Sequence, residues 1–215
     1  MSRQVDMTSW ARNLDEASWS EAEQFCLRQR AVASARLWEV GLDLGGGGAY
    51  DLLYFLVRVL RPQTVVETGV AAGFSSSAIL LALKRNGAGH LYSSDFPYFR
   101  LAEPGRYVGM LVADELRSRW TLRCDGDRNN LPWIVKQVET IDLFHYDSDK
   151  SIDGRNFALR TVQSKLGDNA VIIFDDIQDN RHFRDLMAQM NRPFLVFAFE
   201  GKWLGMVGGP NRFYS

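Results

Sequence analysis

One stretch, from Thr64 to Leu83, constrains the fold of this chain more than any other. It reads TVVETGVAAGFSSSAILLAL: a short apolar run, a turn with glycines at positions 69 and 73, and a run with helical spacing that begins near Ser75. A buried strand, a glycine turn and a helix in this order form the nucleotide-binding start of a doubly wound α/β sheet, because the N–H groups at the helix N-terminus face the ligand.

The spacing within the turn favours a ligand other than a dinucleotide. A dinucleotide-binding turn reads G-x-G-x-x-G, whereas here Glu67 is followed by Gly69 and Gly73. A carboxylate at the end of the strand repels a pyrophosphate and attracts a cationic amine. We therefore expect the turn to face a ligand that carries an amino group.

Composition limits the class of protein. A length of 215 residues fits one α/β domain with a modest N-terminal addition. The formal net charge of −1 argues against nucleic acid as a partner, since such binding needs a basic surface. Cys26 and Cys124 lie far apart and outside any zinc-binding spacing, which is typical of a reducing compartment. With no apolar run long enough for a signal peptide or a membrane span, we expect a soluble, cytoplasmic protein without membrane contact.

The N-terminal part, residues 1–48, is expected to form a helical cap or extension to a domain over residues 49–215. Apolar residues recur with helical spacing from Ser20 to Leu44. The tryptophans in this part pack on the sheet, cover a substrate pocket, or serve a homodimer interface; they are Trp10, Trp19 and Trp38. The glycine run from Gly45 to Gly48 is either a flexible joint or backbone held close to a ligand.

Further strands and helices follow the glycine turn in alternation. A helix is expected over Ala49 to Leu60 before the turn, and a second strand over His90 to Ser94 after it. This second strand ends in Asp95, where an acid can accept hydrogen bonds from both hydroxyls of a ribose. The pattern then predicts a helix over Tyr107 to Arg119 and a third strand over Trp120 to Cys124.

Acidic residues end the next strands. Asp125 and Asp127 follow the third strand, where they either contact a ligand or cap a helix that runs through Gln137. A buried strand over Ile141 to Tyr146 ends in Asp147, and a helix follows over Ile152 to Lys165. The last elements are a turn at Gly167-Asp168, a strand over Ala170 to Phe174 that ends in Asp175-Asp176, a helix from about Asn180 to Met190, and an apolar hairpin of Phe194 to Phe199 with Lys202 to Val207.

Neighbouring parallel strands bring the acids after two of these strands to one edge of the sheet. Such strands lie about 5 Å apart, so Asp147, Asp175 and Asp176 can converge on one ion. A divalent cation removes the repulsion between the carboxylates, and oxygen ligands favour a hard ion such as Mg²⁺. The alternative is that Asp175 or Asp176 caps the helix near Asn180 and that no metal binds.

Four motifs together resemble the class I S-adenosylmethionine-dependent methyltransferases. They are VVETGVAAGFSS, LYSSDFP, IDLFHYDSDKS and VIIFDDI, within Gly48 to Gly208. The chain is most similar to small bacterial O-methyltransferases grouped with the cephalosporin-hydroxylase and macrolide-sugar methyltransferases, and more distantly to catechol O-methyltransferase. The resemblance implies an α/β fold, a Rossmann-like doubly wound sheet of seven strands in the order 3-2-1-4-5-7-6. Its last strand is antiparallel, which the C-terminal hairpin supplies.

The resemblance also implies a cofactor, S-adenosylmethionine, and the residues that contact it. Glu67 is expected near the amino group of the cofactor and Asp95 at the ribose, while Asp127, or else Asp125, accepts from the adenine. The full set of expected cofactor contacts is Glu67, Gly69, Gly73, Ser75, Asp95, Asp127 and Asp147. The reaction expected is methylation of a hydroxyl on a small molecule such as a sugar, a polyketide or a phenol.

The metal and the base follow from the same resemblance. In the metal-dependent relatives, acids after the fourth and fifth strands hold Mg²⁺, and they match Asp147, Asp175 and Asp176. Lys150 matches a lysine that catechol-type enzymes carry three residues beyond the metal-binding aspartate, although many relatives carry histidine there. Without a metal, His182 or His145 becomes the candidate base. Two other functions remain open, a cofactor-binding domain without turnover and a nucleotide-dependent oxidoreductase or hydroxylase.

Overall fold

Parallel strands form the centre of the molecule. The structure is a computed structural model that describes residues 2–41, 44, 46–190 and 192–214. Within these residues one sheet of eight strands has the order β1-β7-β8-β6-β5-β2-β3-β4, with β8 antiparallel to both of its neighbours. The strands are β1 (Ser2–Gln4), β2 (Thr64–Thr68), β3 (His90–Ser94), β4 (Trp120–Arg123), β5 (Ile141–Tyr146), β6 (Leu166–Phe174), β7 (Phe194–Phe199) and β8 (Lys202–Gly208).

The predicted strand order is confirmed. Without β1, the sheet reads 3-2-1-4-5-7-6, and its last strand in the chain, β8, is the antiparallel one. Strand β1 is an addition that the sequence did not predict, since the N-terminus was expected to be helical. It pairs in parallel with β7, with Ser2 opposite Phe194, and so extends the edge of the sheet.

Helices cover both faces of the sheet. They are α1 (Met7–Val40), α2 (Tyr50–Leu60), α3 (Phe74–Asn86), α4 (Asp127–Gln137), α5 (Ile152–Val162) and α6 (His182–Met190). Because side chains alternate along a strand, Val65 belongs to a core shared with α1, α2 and α3, while Val66 belongs to a core shared with α4, α5 and α6. Among the helices of the described chain, none has both the length and the apolar character needed to cross a membrane.

Helix α1 lies within the N-terminal part that was predicted to be helical, and it bends near its start. Its backbone leaves the helical region at Asp15 (φ −163°, ψ 93°), whose carboxylate accepts a hydrogen bond from the N–H of Ser18 (2.9 Å). Trp10 and Trp19 are buried against Phe55, with ring centroids 5.8 and 5.7 Å away. These two tryptophans are therefore core residues, whereas Trp38 is 87% exposed. Leu42 and Gly45, which the sequence placed in the helical pattern and the glycine run, lie outside the described residues.

The predicted helix over 107–119 is wrong. This segment forms turns and a short 3-10 helix, Asp114–Arg119, because part of its backbone bonds to the glycine turn. The N–H of Gly109 donates to Ala71 O (2.8 Å) and the N–H of Leu111 donates to Ala72 O (2.9 Å). The predicted turn at Gly167-Asp168 is also wrong, because both residues lie within β6.

Candidate active site

The glycine turn after β2 requires its glycines for two different reasons. Gly69 and Gly73 have φ values of +81° and +101°, which favour glycine. A Cβ atom at Gly69 would lie 2.3 Å from the carbonyl oxygen of Asp147, and one at Gly73 would lie 2.9 Å from Cα of Gly109. The turn therefore packs directly against the loop after β5 and against segment 107–119.

Glu67 lies behind the glycine turn. Its carboxylate is fully buried and accepts hydrogen bonds from the hydroxyls of Ser75 (2.6 Å), Ser76 (2.5 Å) and Ser93 (2.8 Å). Glu67 and Ser75, both predicted to contact the cofactor, are thus bonded to each other. Their role in the structure is to hold the fold of the turn, because the buried carboxylate of Glu67 joins the N-terminus of α3 to β2 and β3.

Asp95 holds the other side of the same turn. Its carboxylate accepts from the N–H groups of Val70 (2.9 Å), Ala71 (2.7 Å) and Phe96 (2.6 Å). Burial raises the pKa of Asp95, and these hydrogen bonds oppose the rise. The acid at the end of β3 therefore has a structural role in shaping the turn, in addition to any contact with a ligand.

Asp127 is the first residue of α4 and links three strand ends. Its carboxylate accepts from the hydroxyls of Ser94 (2.6 Å) and Ser148, and burial raises the pKa of the group. The alternative that Asp125 or Asp127 caps the helix is wrong, because the N-cap residue of α4 is Gly126. Asp125 is exposed and pairs with Arg123 (2.8 Å).

A cavity of about 760 Å³ opens at the carboxyl ends of β2, β3, β4 and β5. Its lining includes four residues of the expected cofactor set, Gly69, Asp95, Asp127 and Asp147, and also Asp125, the alternative contact to the adenine. Glu67, Gly73 and Ser75 are not among its lining residues. Ligands of open α/β sheets bind at this edge, where the strand order reverses, so the cavity is the candidate cofactor site.

Three carboxylates meet beside this cavity, as the sequence predicted. One oxygen each from Asp147, Asp175 and Asp176 lies within 4.8 Å of the other two; we call these residues the acidic cluster. Asp175 is fully buried, and neither of its carboxylate oxygens has a hydrogen-bond partner within the described part of the chain. Burial and the neighbouring Asp147 raise the pKa of Asp175. Asp176 has a φ of +50°, an uncommon backbone conformation for a residue with a side chain.

Two lysines contact the acidic cluster. Lys150 Nζ forms an ion pair with Asp147 and lies 3.3 Å from Asp176 Oδ2. Lys202 Nζ lies 3.6 Å from Asp175 Oδ2 and 3.6 Å from Asp176 Oδ1. Burial lowers the pKa of Lys202, but the carboxylates outweigh burial and raise it. Lys202 was not among the site residues predicted from the sequence. It could have been found from its place at the start of an antiparallel strand, because such a strand begins at the edge where the parallel strands end.

Gly48 lies against the acidic cluster. A Cβ atom there would be 3.2 Å from Asp147 Oδ2 and 3.2 Å from Asp175 Oδ2. Of the two interpretations of the glycine run, close approach of backbone to a polar site is therefore the one that describes Gly48. Beneath the cluster, His145 is fully buried with Nδ1 3.7 Å from Glu67 Oε1. Burial lowers the pKa of His145, and the surrounding carboxylates raise it above its ordinary value.

His182, a candidate base from the sequence, lies outside the cavity lining. Its Nε2 is 3.0 Å from Asn156 Oδ1, and its ring packs on Phe174 at 6.2 Å. Burial and the charge of Arg155 lower the pKa of His182. The alternative that Asp175 or Asp176 caps α6 is wrong, since Asn180 Oδ1 accepts from the N–H of His182 (2.9 Å).

The family to which the chain belongs is shown by a match that includes the candidate active site. A family model described as a methyltransferase domain matches residues 66–177, which is just over half of the chain and includes the glycine turn and the acidic cluster. This chain belongs to that methyltransferase family. A search of the curated proteins gave no significant match to this chain.

Solved structures agree with the methyltransferase fold. A methyltransferase from Geobacter sulfurreducens is 20% identical with a TM-score of 0.63, over 85% of this chain and 89% of the other. The O-methyltransferase TomG from Streptomyces achromogenes, in complex with S-adenosylmethionine, is 15% identical with a TM-score of 0.65, over 85% and 90%. An O-methyltransferase from Bacillus cereus, in complex with S-adenosylhomocysteine, is 18% identical with a TM-score of 0.61, over 89% and 90%. The fold is that of the class I S-adenosylmethionine-dependent methyltransferases.

Proposed function

We propose that this methyltransferase transfers the methyl group of S-adenosylmethionine to a hydroxyl oxygen of a small molecule, assisted by a divalent cation at the acidic cluster. One observation carries this function: Asp147 both lines the large cavity and belongs to the acidic cluster. A cofactor in the cavity and a hydroxyl at the cluster would therefore be neighbours. Holding two reactants side by side supplies a large part of the rate of a displacement reaction.

The residues around the cavity fit the cofactor. S-adenosylmethionine, when bound, supplies a methyl group that its positive sulfur makes electrophilic. Gly69 offers backbone without a side chain, and Asp95 and Asp127 offer carboxylates to the ribose and the adenine. Glu67, Gly73 and Ser75 would act indirectly, since they shape the turn from behind.

The acidic cluster fits a hard divalent cation. Asp175 is a buried carboxylate, and no described residue donates a hydrogen bond to either of its oxygens, which is costly unless a cation or a donor compensates it. Asp147, Asp175 and Asp176 would hold the ion, since carboxylate oxygens are ligands that Mg²⁺ prefers. There the ion would lower the pKa of an acceptor hydroxyl.

Lys150 would receive the proton of the acceptor. Its Nζ is paired with Asp147 and Asp176, two of the carboxylates proposed to hold the cation. Lys150 would therefore lie beside an acceptor hydroxyl at the acidic cluster, within reach of its proton.

Residues 1–48 would cap the acceptor side and contribute to specificity. The hydroxyl of Tyr98 donates to Leu44 O (3.0 Å) and Arg36 donates to Met110 O (3.0 Å). These bonds join the end of α1 to segment 96–111, beside the cavity. The rest of the domain, residues 49–215, would hold the cofactor and the cation.

Titration calorimetry tests this function directly. We expect S-adenosylmethionine and S-adenosylhomocysteine to bind and NAD not to bind. With S-adenosylhomocysteine present, Mg²⁺ should give a separate heat that Asp175→Asn removes and Asp168→Asn, an exposed acid on β6, retains. Absence of adenosyl binding contradicts the function, and NAD binding favours an oxidoreductase. A gain of one methyl group in hydroxylated acceptors, followed by mass spectrometry, separates an enzyme from a silent binding domain.

A further inference from the structure

Lys202 contacts the acidic cluster at Asp175 and Asp176, whereas Lys150 is paired with Asp147 and Asp176. Its Nζ is 3.6 Å from one oxygen of Asp175 and 3.6 Å from one oxygen of Asp176. Among the residues that the structure describes, no donor forms a hydrogen bond with a carboxylate oxygen of Asp175. Within the same residues, Lys202 is the only cationic side chain that forms an ion pair with this buried carboxylate.

The backbone around Lys202 is fixed to the loop that carries these two acids. The N–H of Ile177 donates to Trp203 O (3.0 Å), and the N–H of Trp203 donates to Gln178 Oε1 (2.9 Å). On the other side of the hairpin turn, Glu200 pairs with Arg30 of α1 at 2.6 Å. The hairpin thus holds Lys202 at the cluster from both directions, unlike an ordinary surface lysine.

The ammonium of Lys202 is nevertheless held loosely. A separation of 3.6 Å is an ion pair without a hydrogen bond, and the side chain is 37% exposed. Like charges repel most strongly at short range, so a cation bound to Asp175 and Asp176 would have to push this ammonium toward solvent. Lys202 and a divalent cation would therefore compete for the same two carboxylates.

We propose that Lys202 is a built-in competitor of the divalent cation, and that the β7–β8 hairpin thereby sets the cation affinity of the acidic cluster. Lys202 is a positioning residue here, acting through Asp175 and Asp176. This inference rests on the proposed function, because it assumes that a cation binds at the cluster. Competition of this kind would give the site a way to release its ion.

Cation titrations of four proteins test the inference. The proteins are the parent chain, Lys202→Met, Lys202→Arg and the control Lys84→Met, an exposed lysine of α3. Each is titrated with Mn²⁺ and with Mg²⁺ by calorimetry in the presence of S-adenosylhomocysteine, and Mn²⁺ binding is confirmed by electron paramagnetic resonance. We expect Lys202→Met to bind either ion about tenfold more tightly, and Lys202→Arg and Lys84→Met to stay within about twofold of the parent, a spread set by ordinary surface substitutions.

Thermal unfolding supplies a second readout. In EDTA, Lys202→Met should unfold at a lower temperature than the parent, because the acids lose a counter-ion. Added Mg²⁺ should raise its midpoint more than that of the parent, since tighter binding to the folded state stabilises more. Folded Lys202→Met that shows unchanged or weaker cation binding overturns the inference.

The outcomes also separate this inference from the proposed function. If the parent binds the cation and Lys202→Met binds it equally well, the inference alone fails. If only Lys202→Met binds the cation, the inference holds and metal assistance in the parent fails. If no protein binds a cation while S-adenosylhomocysteine still binds, both the inference and metal assistance fail, and the cofactor assignment stands.

Discussion

The carboxylate of Asp95 lies 2.7 Å from the backbone nitrogen of Ala71. This contact joins the end of β3 to the glycine turn after β2. Ala71 has a φ of +48°, which costs a residue with a side chain about 1 kcal/mol or more. The hydrogen bond to the carboxylate of Asp95 offsets that cost. The shape of the glycine turn therefore depends on an acid from the neighbouring strand.

Asp95→Ala should therefore weaken the cofactor site. The variant loses the hydrogen bonds to Val70, Ala71 and Phe96, and bonds to a charged group contribute about 1.5–3 kcal/mol each. We expect the Kd for S-adenosylhomocysteine, measured by calorimetry, to rise at least about thirtyfold. Asp114→Ala, which alters a fully exposed acid, is the control and should leave the Kd unchanged. A Kd of Asp95→Ala equal to that of the control would show that the turn holds its shape without Asp95.

Lys150→Met should separate chemistry from cofactor binding. Loss of a positioned base lowers turnover by about 10²-fold or more, whereas Lys150 does not line the cofactor cavity. We expect methyl transfer to fall by that factor while the Kd for S-adenosylhomocysteine stays the same. Lys136→Met, an exposed lysine of α4, is the matched control. Full turnover in Lys150→Met would remove this lysine from the mechanism.

Gly69→Ala should destabilise the fold more than an equivalent change at a free glycine. Gly69 and Gly87 have similar φ values of +81° and +73°, but a Cβ at Gly69 would meet Asp147 O at 2.3 Å, whereas one at Gly87 would meet nothing within 4 Å. We expect Gly87→Ala to lower the free energy of unfolding by about 1 kcal/mol and Gly69→Ala by about 3 kcal/mol or more. Urea denaturation measures both, and equal losses would contradict the close packing of the turn on the loop after β5.

Asp51→Asn should stabilise the protein at neutral pH. Burial raises the pKa of Asp51 from 3.8 to about 6. Because the folded state binds this proton more tightly, the contribution of Asp51 to stability is lost as the pH rises from about 4 to 6. Asparagine removes the loss and keeps the oxygen that accepts from the N–H of Leu52 (2.7 Å).

The expected size of this effect is about 2 kcal/mol or less in the free energy of unfolding at pH 7.5, with no difference near pH 4. Urea denaturation of the parent and of Asp51→Asn at the two pH values gives the comparison. Asp114→Asn, at a fully exposed acid, should match the parent at both. A parent and an Asp51→Asn variant with the same stability at pH 7.5 would mean that Asp51 is not desolvated.

The sequence predicted the strands of the core and the acids at their ends. His90–Ser94 and Ile141–Tyr146 form strands with the predicted bounds, because an apolar run between turn residues is a local signal. Asp147, Asp175 and Asp176 were expected together and lie together. Their meeting follows from the rule that parallel neighbouring strands end at the same edge.

Other features required the tertiary structure. Segment 107–119 has the composition of a helix, but hydrogen bonds from Gly109 and Leu111 to the glycine turn outweigh the local preference. Glu67 was expected at the ligand, but the packing of α3 on β2 places two serine hydroxyls on its carboxylate and the pairing of β3 with β2 adds a third. A predicted base, His182, is bonded to Asn156 and lies outside the cavity lining.

The sequence by itself thus determined the class of fold, the glycine turn and the set of carboxylates, because each can be recognised from residues that are close together in the chain. Only the tertiary structure decided what surrounds those carboxylates. Lys202 reaches Asp175 through the antiparallel pairing of β8 with β6, and Gly48 reaches it from the segment before α2. Contacts between residues so distant in sequence depend on how the elements pack, and no local pattern of residues specifies them.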